Sequence, residues 1–166
     1  MATKISKNFT LEEMTYSANA SAKGIDNTPD ATSLAHLQEL VDNMLQPIRD
    51  AYGKGIKVTS GYRNKKTNEL AGGASSSSHM YGFAADIKPV DGNMKALQRV
   101  VMEWGKAHNF DQIIIEQPSN FVASWIHIGW KHGVTKAQRK NVLYAKKISG
   151  KWSYYGVQKG SRYYNP

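Results

Sequence analysis

His79 and Asp86 stand seven residues apart in Ser77-Ser78-His79-Met80-Tyr81-Gly82-Phe83-Ala84-Ala85-Asp86, and a third metal-competent side chain follows in Trp125-Ile126-His127-Ile128-Gly129-Trp130. Two imidazoles and one carboxylate can fill three corners of a tetrahedron around Zn²⁺ and leave the fourth to water, as catalytic zinc sites require. The chain has no cysteine, which excludes thiolate zinc sites, a Cys nucleophile and a disulfide framework. A metal must therefore be held by His and carboxylate. This donor set would also admit Fe(II), but hydrolysis needs a Lewis acid without redox activity, which favours zinc. The leading expectation is a zinc hydrolase. His36, His108 and His132 fall in an amphipathic helix, at a helix end and in a basic turn, and are read as ordinary surface or core histidines.

Several elements must position the three candidate ligands. Gly82 permits a sharp bend between His79 and Asp86, and Ala84 and Ala85 leave room around a metal. Residues 72–78 are small and flexible in composition and read as a loop that delivers His79. Residues 83–90 read as a strand whose alternation sets Ala84, Asp86 and Lys88 on one face. Residues 112–116 and 124–130 are two β-type runs joined through Pro118, expected to be antiparallel neighbours. A symmetric hairpin there puts Ile114 opposite His127 and makes Glu116 a diagonal neighbour on the same face. A one-residue slip would turn Glu116 away. Residues 56–60 form a strand ahead of Gly61-Tyr62-Arg63, with a polar helical segment up to Leu70, and residues 142–154 form a hairpin turning at Ser149-Gly150.

Helices complete the plan. Thr10 and Glu13 make a capping box, and Thr28-Pro29 suits an N-cap with Pro at the first helical position. Leu34, Leu37, Val41, Met44, Leu45, Ile48 and Tyr52 repeat at helical spacing up to Gly53, with Pro47 expected to kink or break the last turn. Met94, Leu97, Val100, Val101 and Trp104 mark a second long helix closing near His108. Strands mixed with a few helices, without internal repeats, indicate the α+β class.

At 166 residues the chain fits a single domain spanning 1–166, with 149–166 as a basic, aromatic hairpin and tail. In that tail Trp152, Tyr154, Tyr155, Tyr163 and Tyr164 interleave with Lys151, Lys159 and Arg162; an edge hairpin and packed tail is the favoured reading, ahead of an aromatic binding platform. The net charge of +9 predicts attraction to a polyanion. The basic residues are scattered and match no specific nucleic-acid-binding signature; a bacterial envelope is also polyanionic, and charge alone does not choose between the two. No stretch approaches the roughly 20 apolar residues of a membrane span. The first residues carry no secretion-signal pattern, so the chain is expected to stay in the cytoplasm unless something else releases it, and to be a monomer.

Ser77-x-His79-x-x-Gly82-x-Ala84-x-Asp86, the upstream Ser60-Gly61-Tyr62-Arg63 and the downstream Trp125-Ile126-His127 resemble the zinc D-Ala-D-Ala carboxypeptidase family, including its phage endolysin members. That family belongs to the group that also holds lysostaphin-type peptidases and the hedgehog signalling domain. The resemblance extends to residues 9–13 and 24–29 and covers roughly residues 5–145. It implies a hedgehog-like α+β fold with an antiparallel sheet and flanking helices, one catalytic zinc, and cleavage of peptide bonds beside D-amino acids in peptidoglycan stems, as a carboxypeptidase or an endopeptidase. Position by position, it makes His79, Asp86 and His127 the zinc ligands. It sets Arg63 beside the metal, either to hold a substrate carboxylate or to stabilise the oxyanion. Ser77 and Trp125 would contact substrate. The chain departs from the pattern at Ser124, where several relatives carry an acid three positions before the last histidine. A neutral hydroxyl cannot act as a base at pH 7, so Glu116 is the substitute, and a Glu ending this strand looks common among phage-type relatives. The alternative is a wall-binding module whose zinc is structural.

Overall fold

Alternation along the strands sorts one sheet into a core face and an open face. The protein is described here by a computed structural model covering residues 2–131 and 138–166, so His132 lies outside the described residues. The strands are β1 (Ile56–Ser60), β2 (Ala84–Pro89), β3 (Gln112–Glu116), β4 (Trp125–Gly129), β5 (Asn141–Ile148) and β6 (Lys151–Gly156), ordered β1-β2-β4-β3-β5-β6. Ala85, Ile87, Ile113, Ile115, Ile126 and Ile128 are fully buried in the apolar core. Asp86, Ile114, Glu116 and His127, one residue out of step, line a cleft on the other face.

The register between β3 and β4 is the expected one: Ile114 pairs with His127 and Glu116 with Trp125. β2 joins β4 on its other side with Asp86 opposite His127. Four of the five strand pairs are antiparallel, and the fifth, β3 with β5, is parallel. The mixed sheet has a simple cause. β4 is already paired on both edges, so the returning chain adds at the free edge of β3; β3 and β5 both run antiparallel to β4, and therefore parallel to each other.

Among the described residues six α-helices pack around the sheet: α1 (Leu11–Thr15), α2 (Ala18–Ala22), α3 (Ala31–Leu40), α4 (Gln46–Tyr52), α5 (Lys65–Leu70) and α6 (Met94–Ala107). The capping box opens α1, where the Glu13 N–H donates to Thr10 Oγ1 (3.2 Å) and the Thr10 N–H donates to the Glu13 carboxylate (2.8 Å). α3 begins two residues later than the Thr28-Pro29 pair suggests. Asp30 is its N-cap, accepting the Ser33 N–H at 2.7 Å, because Thr28 is held in a local turn by Asp26, to which both its N–H and its hydroxyl donate. Pro47 does not break the helix. A π-helical turn over Val41–Leu45 shifts the hydrogen-bond register ahead of it, so Pro47 falls in the first turn of α4 and the helix runs on to Tyr52.

Leu37, Leu40, Val41, Met44, Leu45 and Ile48 from this long segment and Leu97, Val101, Met102 and Trp104 from α6 form the bulk of the core with the sheet. The fully buried Gln98 of α6 holds the structure together in a way its polarity hides. Its amide nitrogen donates to the carbonyls of Phe121 (2.7 Å) and Tyr163 (2.8 Å), and its oxygen accepts from the Ala123 N–H (2.8 Å). It thus ties the β3–β4 loop and the C-terminal tail to one helix. Among the described residues no helix is long and apolar enough to cross a membrane.

Candidate metal centre

The segment Gly61-Tyr62-Arg63 is clamped before it reaches the site. The Tyr62 N–H donates to the Met14 carbonyl (2.7 Å), the Asn27 amide donates to the Tyr62 carbonyl (2.8 Å), and the Arg63 N–H donates to the His79 carbonyl (3.0 Å). Gly61 is required here, because a Cβ would overlap the Met14 carbonyl oxygen. Its own carbonyl faces inward and takes the proton of His79 Nδ1 at 2.8 Å. That bond leaves a lone pair on His79 Nε2.

His79 sits in a 3-10 turn, Ser78–Tyr81, rather than in an open loop. Ser77 caps the turn by accepting the His79 N–H (3.3 Å), and Gly82 ends it at φ +78°, a conformation that an L side chain rarely adopts. A Cβ at Gly82 would also overlap the Ser33 carbonyl, so the turn is seated directly on α3.

His79 Nε2 lies 3.3 Å from Asp86 Oδ1, and His127 Nδ1 lies 3.2 Å from the same oxygen. One ligating atom from each of the three residues falls within 4.8 Å of the other two. The donor chemistry fits a metal. Burial disfavours the charged form of His79 and outweighs the pull of Asp86, so its pKa is lowered and the imidazole is neutral. Burial pushes the Asp86 carboxyl up, but the two histidine rings beside it overcome that and hold it well below the usual carboxylate range, so it is ionised. A neutral imidazole presenting its lone pair to an ionised carboxylate at this distance is repulsive unless a cation lies between them. Zn²⁺ is the cation that two His and one carboxylate suit.

Glu116 lies on the same face, buried, and its Oε2 has no hydrogen-bond partner. Burial, reinforced by the Asp86 charge, pushes its carboxyl up to about 7, against the opposing effects of His127 and Arg63. Arg63 is partly desolvated, which lowers its pKa, while Asp86 and Glu116 counteract the shift and keep it a cation. Its Nη2 donates to Ser77 Oγ at 3.5 Å, and its Nε is buried without a partner. The Ser124 hydroxyl is occupied elsewhere, donating to the Gln117 carbonyl at 2.7 Å.

These groups line one cleft of about 610 Å³. Arg63, Ser77, His79, Asp86, Glu116, Trp125 and His127 all border it, so every residue singled out for the site in the sequence reaches the same space. Among the other histidines, His36 stacks on Phe83 and His108 on Trp104, away from the cleft. Leu143, Lys147, Trp152 and Tyr154 also line it, and none of them was singled out as a site residue. The signal was present in their alternation, since Leu143 and Lys147 share one face of β5. Tyr163 and Tyr164 behave as the packed tail expected of them, Tyr163 stacking on Tyr144 at 4.8 Å.

The description peptidase M15 matches residues 7–129, most of the chain and all of the segments that carry the three candidate ligands. The chain is also 39% identical over 71 residues to the zinc D-Ala-D-Ala carboxypeptidase of Streptomyces albus G, a stretch that is 42% of this chain and 26% of that protein. It therefore spans only about a quarter of that curated relative. The relative's name carries a metal that the donor set above accepts, and the longer match decides the lineage: the chain belongs to the peptidase M15 family, whose cofactor is zinc.

Proposed function

We propose that this protein is a zinc-dependent peptidase that cleaves peptide bonds beside D-amino acids in bacterial peptidoglycan stem peptides. The observation that carries the reading is Glu116: a buried, unpartnered carboxylate on the same face as His79, Asp86 and His127, with its pKa raised to about 7. In the metal-free protein a carboxylate of that strength both takes and returns a proton near neutral pH. His79, Asp86 and His127 would hold zinc, which when bound supplies a Lewis acid that acidifies water and polarises a carbonyl. Glu116 Oε2 accepts the proton of the attacking water and passes it to the leaving amine. Arg63 brings a fixed positive charge to the cleft, where it meets a substrate carboxylate or the negative charge that develops on the carbonyl oxygen. Ser77 supports Arg63 and caps the His79 turn, and Trp125 offers an apolar wall.

The relative's activity on D-Ala-D-Ala supports this substrate class. The charge of +9 favours action at an anionic wall, in the role of a phage endolysin that leaves the cytoplasm late. A wall-binding module with a structural metal is the competing reading, favoured by the neutral Ser124 where several relatives carry an acid.

Mass spectrometry of peptidoglycan and synthetic stem peptides, incubated with zinc-loaded wild type, Glu116→Ala and Asp86→Ala, separates them. The enzyme reading expects new fragments from the wild type and a loss of roughly 10²–10⁴ in rate for Glu116→Ala at one zinc per chain. Asp86→Ala should lose both zinc and activity. No fragments from wild type carrying one zinc would give the binding module the field.

A further inference from the structure

One wall of the cleft comes from beyond residue 129, where the family match ends. Through the parallel pairing Ile114 lies beside Leu143 and Glu116 beside Ala145, so the cleft face of β3 continues onto β5. The hairpin pairing then sets Tyr154 beside Ala145 and Trp152 beside Lys147. Trp125, Glu116, Ala145 and Tyr154 thus form one row across four strands. Tyr154 lies beyond Ala145 in that row, and its phenol is raised by burial and then by the charges of Glu116 and Asp86. Trp152 stands edge-on to Trp125 with centroids 6.2 Å apart. β5 and β6 therefore extend the cleft beyond the metal donors.

Lys147 is the cation of that extension. Two residues past Ala145 along β5, it lies roughly 7 Å beyond the row of Glu116, or about two residues of an extended peptide. Its Nζ is 5.8 Å from the Trp152 ring centroid, and a Cβ built on Gly72 across the cleft would be 3.9 Å from it. Among the described residues no carboxylate forms a salt bridge with it, whereas Arg139, another cation lining the cleft, is held by Asp111 through two bonds of 2.9 Å.

We propose that the β5–β6 hairpin builds a substrate subsite in which Lys147, held over Trp152, binds a carboxylate of an anionic peptide away from the scissile bond. The protein then prefers peptides with that carboxylate free over the same peptides amidated there. The inference rests on the peptidase reading for its scissile bond, but not for its ligand.

The test is calorimetric titration of zinc-loaded Glu116→Gln, which keeps peptide intact, with L-Ala-γ-D-Glu-L-Lys-D-Ala-D-Ala. The D-Glu α-carboxyl and the C-terminus are each presented free or amidated, and the titrations are repeated with Lys147→Gln and Lys147→Glu added. Lys147 is exposed, so these changes should leave unfolding midpoints unaltered. Amidation at one of the two positions should weaken binding about five- to tenfold, the size of an accessible charge-assisted contact. Lys147→Gln should erase that difference and Lys147→Glu reverse it, with affinity for the amidated peptide unchanged. No binding by any peptide, no preference, or no preference at either position that Lys147→Gln removes overturns the proposal. Wild-type turnover on the same peptides keeps the two readings apart, since Lys147-dependent binding without cleavage would remove the peptidase and leave the subsite standing.

Discussion

Glu116 is the residue whose environment costs the fold most visibly. Its carboxyl is held at about 7 in the folded protein against 4.5 as the ordinary value, so the metal-free folded state keeps a proton that the unfolded chain releases between those pH values. Stability is untouched by this group below pH 4.5, falls as pH rises, and is fully reduced above 7, by about 3 kcal/mol. His79 acts in the opposite sense below pH 6.5, because its lowered pKa makes the unfolded chain the better proton binder there. The Glu116→Gln comparison isolates the carboxylate: urea unfolding of the metal-free proteins should show the variant gaining on wild type steadily from pH 4.5 to 7. A constant difference across that range would mean that Glu116 is solvated and not the base. At this scale the sequence was legible for a definite reason. Glu116 stands two residues from Ile114 on one strand, and the pairing of Ile114 with His127 allows it only one face. The absence of any partner for its Oε2 was not legible, since that depends on where Arg63 and Ser77 come to lie.

The 3-10 turn over Ser78–Tyr81 and its seat on α3 govern the geometry of His79. Gly82 has φ +78° and no room for a Cβ against the Ser33 carbonyl, so Gly82→Ala combines backbone strain with a clash against main chain. The expected cost is about 2–4 kcal/mol in chemical unfolding, together with weakened zinc retention, because the turn that carries one candidate ligand must shift. Gln98 sets a parallel test on α6. Gln98→Leu keeps the volume but leaves two carbonyls and an N–H without partners, at about 1–3 kcal/mol for each one that water cannot reach. The helical stripe around Gln98 announced α6 well, while the residue itself, polar within an apolar face, gave no sign that it would bind two distant loops. The N-terminus of α3 shows the same limit. Thr28 and Asp30 are both good caps in isolation, and the choice fell to Asp30 once Asp26 had engaged Thr28.

For the whole molecule, the charge of +9 acts through distance rather than contact. Capture by an anionic wall should weaken as the Debye length contracts from about 10 Å at 0.1 M salt to about 3 Å at 1 M. On the proposed peptidase reading, hydrolysis of intact wall should therefore slow severalfold over that range, while a short soluble stem peptide at saturating concentration is cut at nearly the same rate. Equal salt sensitivity for both substrates would place the effect within the cleft instead. The sheet supplies the second global feature: its free β3 edge accepts β5, and through it the basic hairpin becomes a wall of the cleft.

The residues themselves determined the donor set, the two long apolar stripes, the capping box and the β3–β4 register, because each depends on side-chain chemistry or on periodicity between near neighbours in the chain. Only the tertiary structure decided that β5 runs parallel to β3, that Lys147, Trp152 and Tyr154 face the metal donors, and that Gln98 holds the tail. Those outcomes depend on which sheet edge remains open and which polar groups are left unpaired after the chain has closed on itself, quantities that no local stretch of sequence contains.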